Sequence, residues 1–275
     1  MTSLTVDTWM HTTMLIDNQW GGRGTGFLIS RKVNEEQGKM FLVTNKHVLD
    51  KTRDGRLQLE KVTLYMNMKT PKGTIIGIPD EYPLYAFGKR LWRDHPDENV
   101  DVLAIDVTYL FELSSKISFK SGTYGWIADV TLIEENQISA GDEVVVLGYP
   151  AGLKQGRTVY PLVRQGLIAT QIGQLLVEDY GDSTREAVER RGFLIDGAII
   201  HGSSGSPVLL KPGPNRYLHG QYRVGEPTLP YLLGIVAEPR YLPRGTHKEY
   251  ESEYTGLGFA HDAVTIRETI ECFFD

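Results

Sequence analysis

Three short stretches carry side chains that can perform acyl transfer together. His47 stands in FLVTNKHVLD (41–50), Asp101 in ENVDVLAIDV (98–107) and Ser204 in HGSSGSPVLL (201–210), in the chain order His, Asp, Ser. A serine hydroxyl is a weak nucleophile at neutral pH. An imidazole beside it can take its proton during attack and return that proton to the leaving group. A carboxylate on the far ring nitrogen fixes the imidazole tautomer and stabilises the imidazolium that forms. The glycines around Ser204 suit a tight turn that other residues resist. In such a turn the backbone N–H groups of Gly202 and Ser204 can converge on one point and receive a developing oxyanion, which is worth about 3–4 kcal/mol per donor.

The same stretches have plainer readings. A run of glycine and serine reads as a linker by composition. HGSSGS, however, lies between FLIDGAII (193–200) and PVLL (207–210), apolar segments that a linker lacks. Asp106 shares the strand of Asp101 and is the rival carboxylate, but its odd offset puts it on the opposite face. GGRGTG (21–26) has the spacing of a dinucleotide loop, yet FLIS continues as a strand where a helix would have to start. A nucleophile elbow of the α/β-hydrolase kind needs Gly-x-Ser-x-Gly and the order Ser, Asp, His. Here Ser206 takes the last position and the order is reversed. The histidines near the serine turn have no metal-ligand spacing with Cys272, and no metal or cofactor is implied.

Such residues need a frame of strands to meet. Apolar runs rich in Val, Ile, Leu and aromatics recur between Gly, Pro, Asn and Asp: GFLIS (26–30), KMFLVTN (39–45), KVTLYMNM (61–68), TIIGI (74–78), DVLAIDV (101–107), EVVVLGY (143–149), LIATQI (167–172), QLLVE (174–178), FLID (193–196), SPVLL (206–210) and YLLGIVA (231–237). Many short strands at this spacing predict an all-β fold, a barrel or a sandwich. The tail HDAVTIRETIECFFD is the exception. It has a helical period, with Val264, Ile266, Ile270 and Phe273 on one face and Asp262 able to cap its start. Residues 211–230 and 239–254 read as long loops, rich in Pro and Gly or strongly polar.

Composition narrows the class. With 275 residues, 41% hydrophobic and 23% charged, the chain reads as one globular domain over 1–275 with ample material for a core. The net charge of −6, without a basic run, speaks against nucleic acid and against an anionic membrane surface. A single cysteine permits no intrachain disulfide and gives no reason to invoke an oxidising compartment. The first residues lack the basic start and apolar run of a signal peptide, and nothing approaches the ~20 apolar residues of a membrane helix. The expectation is a cytoplasmic protein.

The motifs in this order resemble those of chymotrypsin-like (trypsin-fold) serine peptidases, and within them the bacterial HtrA/Deg-type peptidase domain. GTGFLIS resembles the glycine-containing first strand, VTNKHVL the histidine motif, DVLAI the aspartate motif and DGAIIHGSSGSPVLL the serine motif. GDEVVVLGYPAGL resembles the strand and turn that open the second barrel, while LLGIVA and GLGFAHDAVTI resemble the cleft strands and the C-terminal helix. The resemblance implies two six-stranded antiparallel β-barrels with the cleft between them. The first would span about 15–125, the second about 126–260, and a helix about 261–273. It implies a serine endopeptidase that cleaves proteins or peptides through an acyl-enzyme on Ser204, with His47 as base, Asp101 as orienting acid and an oxyanion hole at Gly202 and Ser204. Ala198, Ile199, Ala237 and Glu238 would bind the substrate. A catalytically silent peptide-binding module of the same fold is the alternative.

The sequence departs from the family pattern in places. Ser206 replaces the second glycine of the usual Gly-Asn-Ser-Gly-Gly-Pro, and the expectation is a peptidase domain without the PDZ domain that HtrA-type relatives carry. Ser203 stands where digestive-type relatives carry an aspartate that pairs with a newly cut N-terminus. Regulation by a partner is therefore expected in place of cleavage-triggered activation. Apolar Ala198 and Ile199 imply a small or apolar side chain at the cleavage site, while Glu238 pulls the other way. Pro239 removes a backbone N–H that could otherwise bind substrate.

Overall fold

The structure, a computed structural model, describes residues 4–18, 20–35, 37–49, 59–113, 120–154, 156–178, 188–218, 221–244 and 251–274. Strands dominate, as the β-branched and aromatic runs require, and they sort into two halves. In the N-terminal half the pairing order is Ile75–Pro83, Lys61–Lys69, Thr13–Asn18, Arg23–Lys32, Gly38–Thr44, Leu103–Asp106, Trp92–Asp94, with every pair antiparallel. Gly122–Thr123 adds an eighth strand, parallel to Arg23–Lys32. In the C-terminal half six strands close into a barrel: Glu143–Gly148, Leu162–Ile168, Phe193–Asp196, Glu251–Asp262, Leu232–Arg244 and Pro207–Leu210, which returns to the first.

The closure expected of both halves is thus found in the second. In the first, the outer strands Ile75–Pro83 and Trp92–Asp94 do not pair with each other among the described residues. Ile75–Pro83 buries only Tyr82 fully, so little apolar surface draws this edge inward.

The central strands serve two cores at once. Leu28, Met40 and Leu42 pack with Ile16, Leu64 and Ile105. Phe27, Ile29, Phe41 and Val43, the alternate residues, join Val144, Val146, Leu209 and Ile235 of the barrel. The period of two in a strand gives each face its own partner. Each such side chain, fully buried, contributes about 2–3 kcal/mol, so the two halves are held together by the strands that lead into the site. The indole N–H of Trp9 adds a hydrogen bond of 2.9 Å to the Pro230 carbonyl.

Several elements differ from the sequence expectation. Short helices form at Val6–Thr12 and Val130–Glu135, capped by Thr5 and Asp129. The stretch 167–172 leaves the ladder after Ile168, where Thr170 Oγ1 instead takes the Leu194 N–H at 2.8 Å. Much of the two expected loops is strand: Gly213–Leu218 pairs with Gln221–Thr228, and Leu232–Arg244 runs far beyond the barrel with Glu251–Asp262. Residues 219, 220 and 245–250 lie outside the described residues. The C-terminal helix runs Ala263–Glu271, and Asp262 caps it by accepting from Thr265 N. Its buried face is Ala263, Ile266 and Ile270 with two threonines, and does not include Val264. Among the described residues no helix is long and apolar enough to cross a membrane.

Candidate active site

His47 lies on the helical turn Lys46–Leu49, directly after the strand Gly38–Thr44. Asp101 lies just ahead of the strand Leu103–Asp106. Thr44 pairs with Leu103, so the two strand ends meet. Asn45 Nδ2 donates to the Asp101 carbonyl at 2.6 Å and pins the junction. The His47 backbone N–H donates to Asp101 Oδ1 at 3.1 Å, and His47 Nδ1 hydrogen-bonds Asp101 Oδ2. With Nδ1–H held by the carboxylate, Nε2 is left as the acceptor. The His47 side chain is 48% exposed and reaches solvent. Burial lowers its pKa, but the hydrogen bond and charge of Asp101, with the charge of Glu238, outweigh that and hold it above the ordinary imidazole value. Asp106 is engaged elsewhere, accepting from Lys39 Nζ at 3.1 Å and Thr108 Oγ1 at 2.6 Å.

The serine turn is fixed by backbone hydrogen bonds. The carbonyl of His201 accepts from Ala151 N, that of Ser204 from Thr25 N, and that of Gly202 from Thr25 Oγ1. Ser203 N, Gly205 N and Ser206 N donate to Ile200, Val236 and Ser203. Between these, the N–H groups of Gly202 and Ser204 have no acceptor among the described residues. Gly202 (φ +86°) and Gly205 (φ +83°) hold conformations that other residues resist. A Cβ at 205 would lie 1.8 Å from the Thr25 carbonyl oxygen. Ser206, the departure from the family motif, is fully buried. It fits because position 148 is glycine, where a Cβ would lie 2.0 Å from Ser206 Oγ.

The Ser204 hydroxyl donates to the Ala237 carbonyl at 2.8 Å. The structure therefore brings His47 and Asp101 into direct contact and turns Ser204 Oγ toward the neighbouring strand. Of the expected substrate residues, Ala198 is exposed. Ile199 is 2% exposed and packs on Gly258, where a Cβ would lie 2.4 Å from its Cγ1. Ala237 is buried. Glu238 Oε1 is held by Arg190 Nη1 at 2.7 Å and Arg240 Nη1 at 3.0 Å.

Two residues of the site were not singled out in the sequence. Thr25 binds the serine turn through its N–H and its hydroxyl, and the only hint was its place in GTGFLIS. His261 is 1% exposed. Its Nδ1–H donates to the Arg191 carbonyl at 2.9 Å, so its Nε2 accepts the Asp101 backbone N–H at 3.1 Å. Burial drives its pKa down to about 4 and keeps the ring neutral. A histidine inside the apolar strand GLGFAHD was the available signal.

Residues 24–213 match the trypsin-like peptidase domain. The chain belongs to this family. Among solved structures it is similar to the Rv3671c protease of M. tuberculosis. The match to the inactive form of a serine-to-alanine mutant has 17% identity and a TM-score of 0.48, covering 97% of this chain and 88% of that one. The active form matches with 20% identity and a TM-score of 0.47, covering 96% and 82%. Deg5 matches with 15% identity and a TM-score of 0.48, covering 95% and 88%. No curated protein matches the sequence.

Proposed function

We propose that this chain is a serine endopeptidase of the HtrA/Deg kind that cleaves proteins or peptides through an acyl-enzyme on Ser204. The observations that carry the reading are the His47–Asp101 pair and a serine turn in which the Gly202 and Ser204 N–H groups have no acceptor among the described residues. In the reaction the Ser204 hydroxyl rotates from the Ala237 carbonyl to His47 Nε2. His47 takes its proton as Ser204 Oγ attacks the substrate carbonyl carbon. The oxyanion enters between Gly202 N–H and Ser204 N–H. His47 then protonates the leaving amine, the acyl-enzyme forms, and water repeats the cycle. The Ala237 carbonyl, freed by the rotation, is left to accept a substrate N–H, with Ala198, Ile199 and Glu238 around it.

Partner regulation belongs to the same proposal. The Ser203 hydroxyl accepts from Ile200 N at 3.3 Å, and a serine offers no carboxylate for a cut N-terminus. The two extended hairpins supply surfaces on which a partner can act. The silent binding module has one observation in its favour, the Ser204 hydroxyl on Ala237. Casein hydrolysis separates the two readings. The proposal expects cleavage by wild type and none by Ser204→Ala; equal rates for the two proteins would refute it.

A further inference from the structure

The strand Leu162–Ile168 alternates its side chains. Val163 and Leu167 are exposed and Ile168 is buried, so Arg164 lies on the inward side of the barrel strand. Its Nη1 donates to the carbonyl of Ala198, six positions before Ser204. Its Nε and Nη2 are shielded from solvent and have no hydrogen-bond partner among the described residues. A guanidinium has five N–H donors and stays charged in proteins. Keeping part of one dry and unpaired is costly, and folds do so rarely without a compensating anion.

No carboxylate among the described residues pairs with Arg164. Its electrostatic neighbour is Tyr254, whose hydroxyl donates to the Gly197 carbonyl at 2.8 Å and accepts from Ile199 N at 2.7 Å. Arg164 and Tyr254 thus brace the segment 197–199 from behind. Ala198 itself is exposed, so the guanidinium is anchored to a residue that reaches the surface six positions before Ser204. Glu238 does not supply the missing charge. Its carboxylate is held by Arg190 and Arg240.

We propose that the site selects an acidic side chain, aspartate or glutamate, at the residue whose carbonyl Ser204 attacks, with Arg164 as the specificity-determining group that receives the carboxylate. Ala198 and Ile199 then line the aliphatic stem, and Arg164 reads the charged end. A carboxylate offers two acceptors, which suits the two unpaired guanidinium nitrogens. This inference rests on the peptidase reading for the position of the cleft.

The test uses peptide substrates identical except for Glu or Gln at the cleavage residue, so that the protein itself is unaltered. Wild type should favour Glu in kcat/KM by at least ~10-fold, the range of a charged hydrogen bond. Arg164→Met should remove that preference, and Arg164→Lys should restore part of it. Labelled wild type that cleaves the Gln peptide as fast as the Glu peptide would overturn the inference. So would a Glu preference that survives in Arg164→Met. A binding arm separates this from the peptidase reading. Peptides ending in Glu should bind Ser204→Ala more tightly than those ending in Gln, and Arg164→Met should abolish the difference. Absent labelling with this difference present would refute only the peptidase reading; equal binding of the two peptides would refute the role of Arg164.

Discussion

Acidification from about pH 7 to about pH 4 should remove on the order of 3 kcal/mol of folding stability through His261 alone. The ring is buried and neutral. Its Nδ1–H is committed to the Arg191 carbonyl and its Nε2 to the Asp101 N–H. Protonation would set a second N–H against that backbone donor. Burial opposes the charge most strongly, and Arg190 and His95 oppose it further. The Arg191 carbonyl and Asp101 favour it, and the net pKa falls from 6.5 to about 4. At ~1.4 kcal/mol per unit this depression gives the figure above. The unfolded chain takes up the proton near 6.5 and the folded chain only near 4. Stability is therefore full above the unfolded value and is lost as the pH falls toward the folded one. The assay is denaturant unfolding across this range for wild type and His261→Gln, whose amide oxygen still accepts from Asp101 N–H and does not titrate. Other groups cancel in the difference between the two profiles. The difference should grow by ~3 kcal/mol on acidification; parallel profiles would refute the assignment of a buried neutral His261.

Other outcomes follow from the same geometry. Asp101→Asn should lower turnover by about 10⁴ through loss of the tautomer. It should also shift the acid limb of the pH–rate profile downward, because the hydrogen bond and charge that raise the His47 pKa are gone. An unchanged midpoint would count against the pairing. Asp106→Asn should leave turnover near wild type, since its partners are Lys39 and Thr108; a large loss would mean that Asp106 is the catalytic carboxylate. Gly205→Ala combines φ +83° with a Cβ 1.8 Å from the Thr25 oxygen and should destabilise by more than ~3 kcal/mol. A wild-type melting temperature would contradict the turn geometry.

The local motifs were legible because each is written within a few adjacent residues. His47 follows its strand, Asp101 precedes its own, and glycines bracket Ser204. The barrel strands were legible as short apolar runs, EVVVLGY, SPVLL and YLLGIVA, rich in the β-branched and apolar residues that strands favour, and the first two are buried along nearly their whole length. His261 was not legible as a partner of Asp101, since the two are distant in sequence and meet only when the two halves of the fold pack. The hairpins within 211–230 and 239–254 read as loops because strands projecting beyond a core need no apolar face. The turn at Thr170 was hidden for a different reason, because a side-chain hydroxyl took over a ladder hydrogen bond. Arg164 gave no signal either. A charged residue in an alternating strand reads as solvent-facing until the register places it inward.

The most direct test of the central claim is intact mass after exposure to a fluorophosphonate, for wild type and Ser204→Ala. One adduct on wild type and none on the variant is the predicted result, since only a serine with an assembled base and oxyanion site reacts. An adduct on both proteins would place the nucleophile elsewhere, and an adduct on neither would contradict a working His47, Asp101 and Ser204 site.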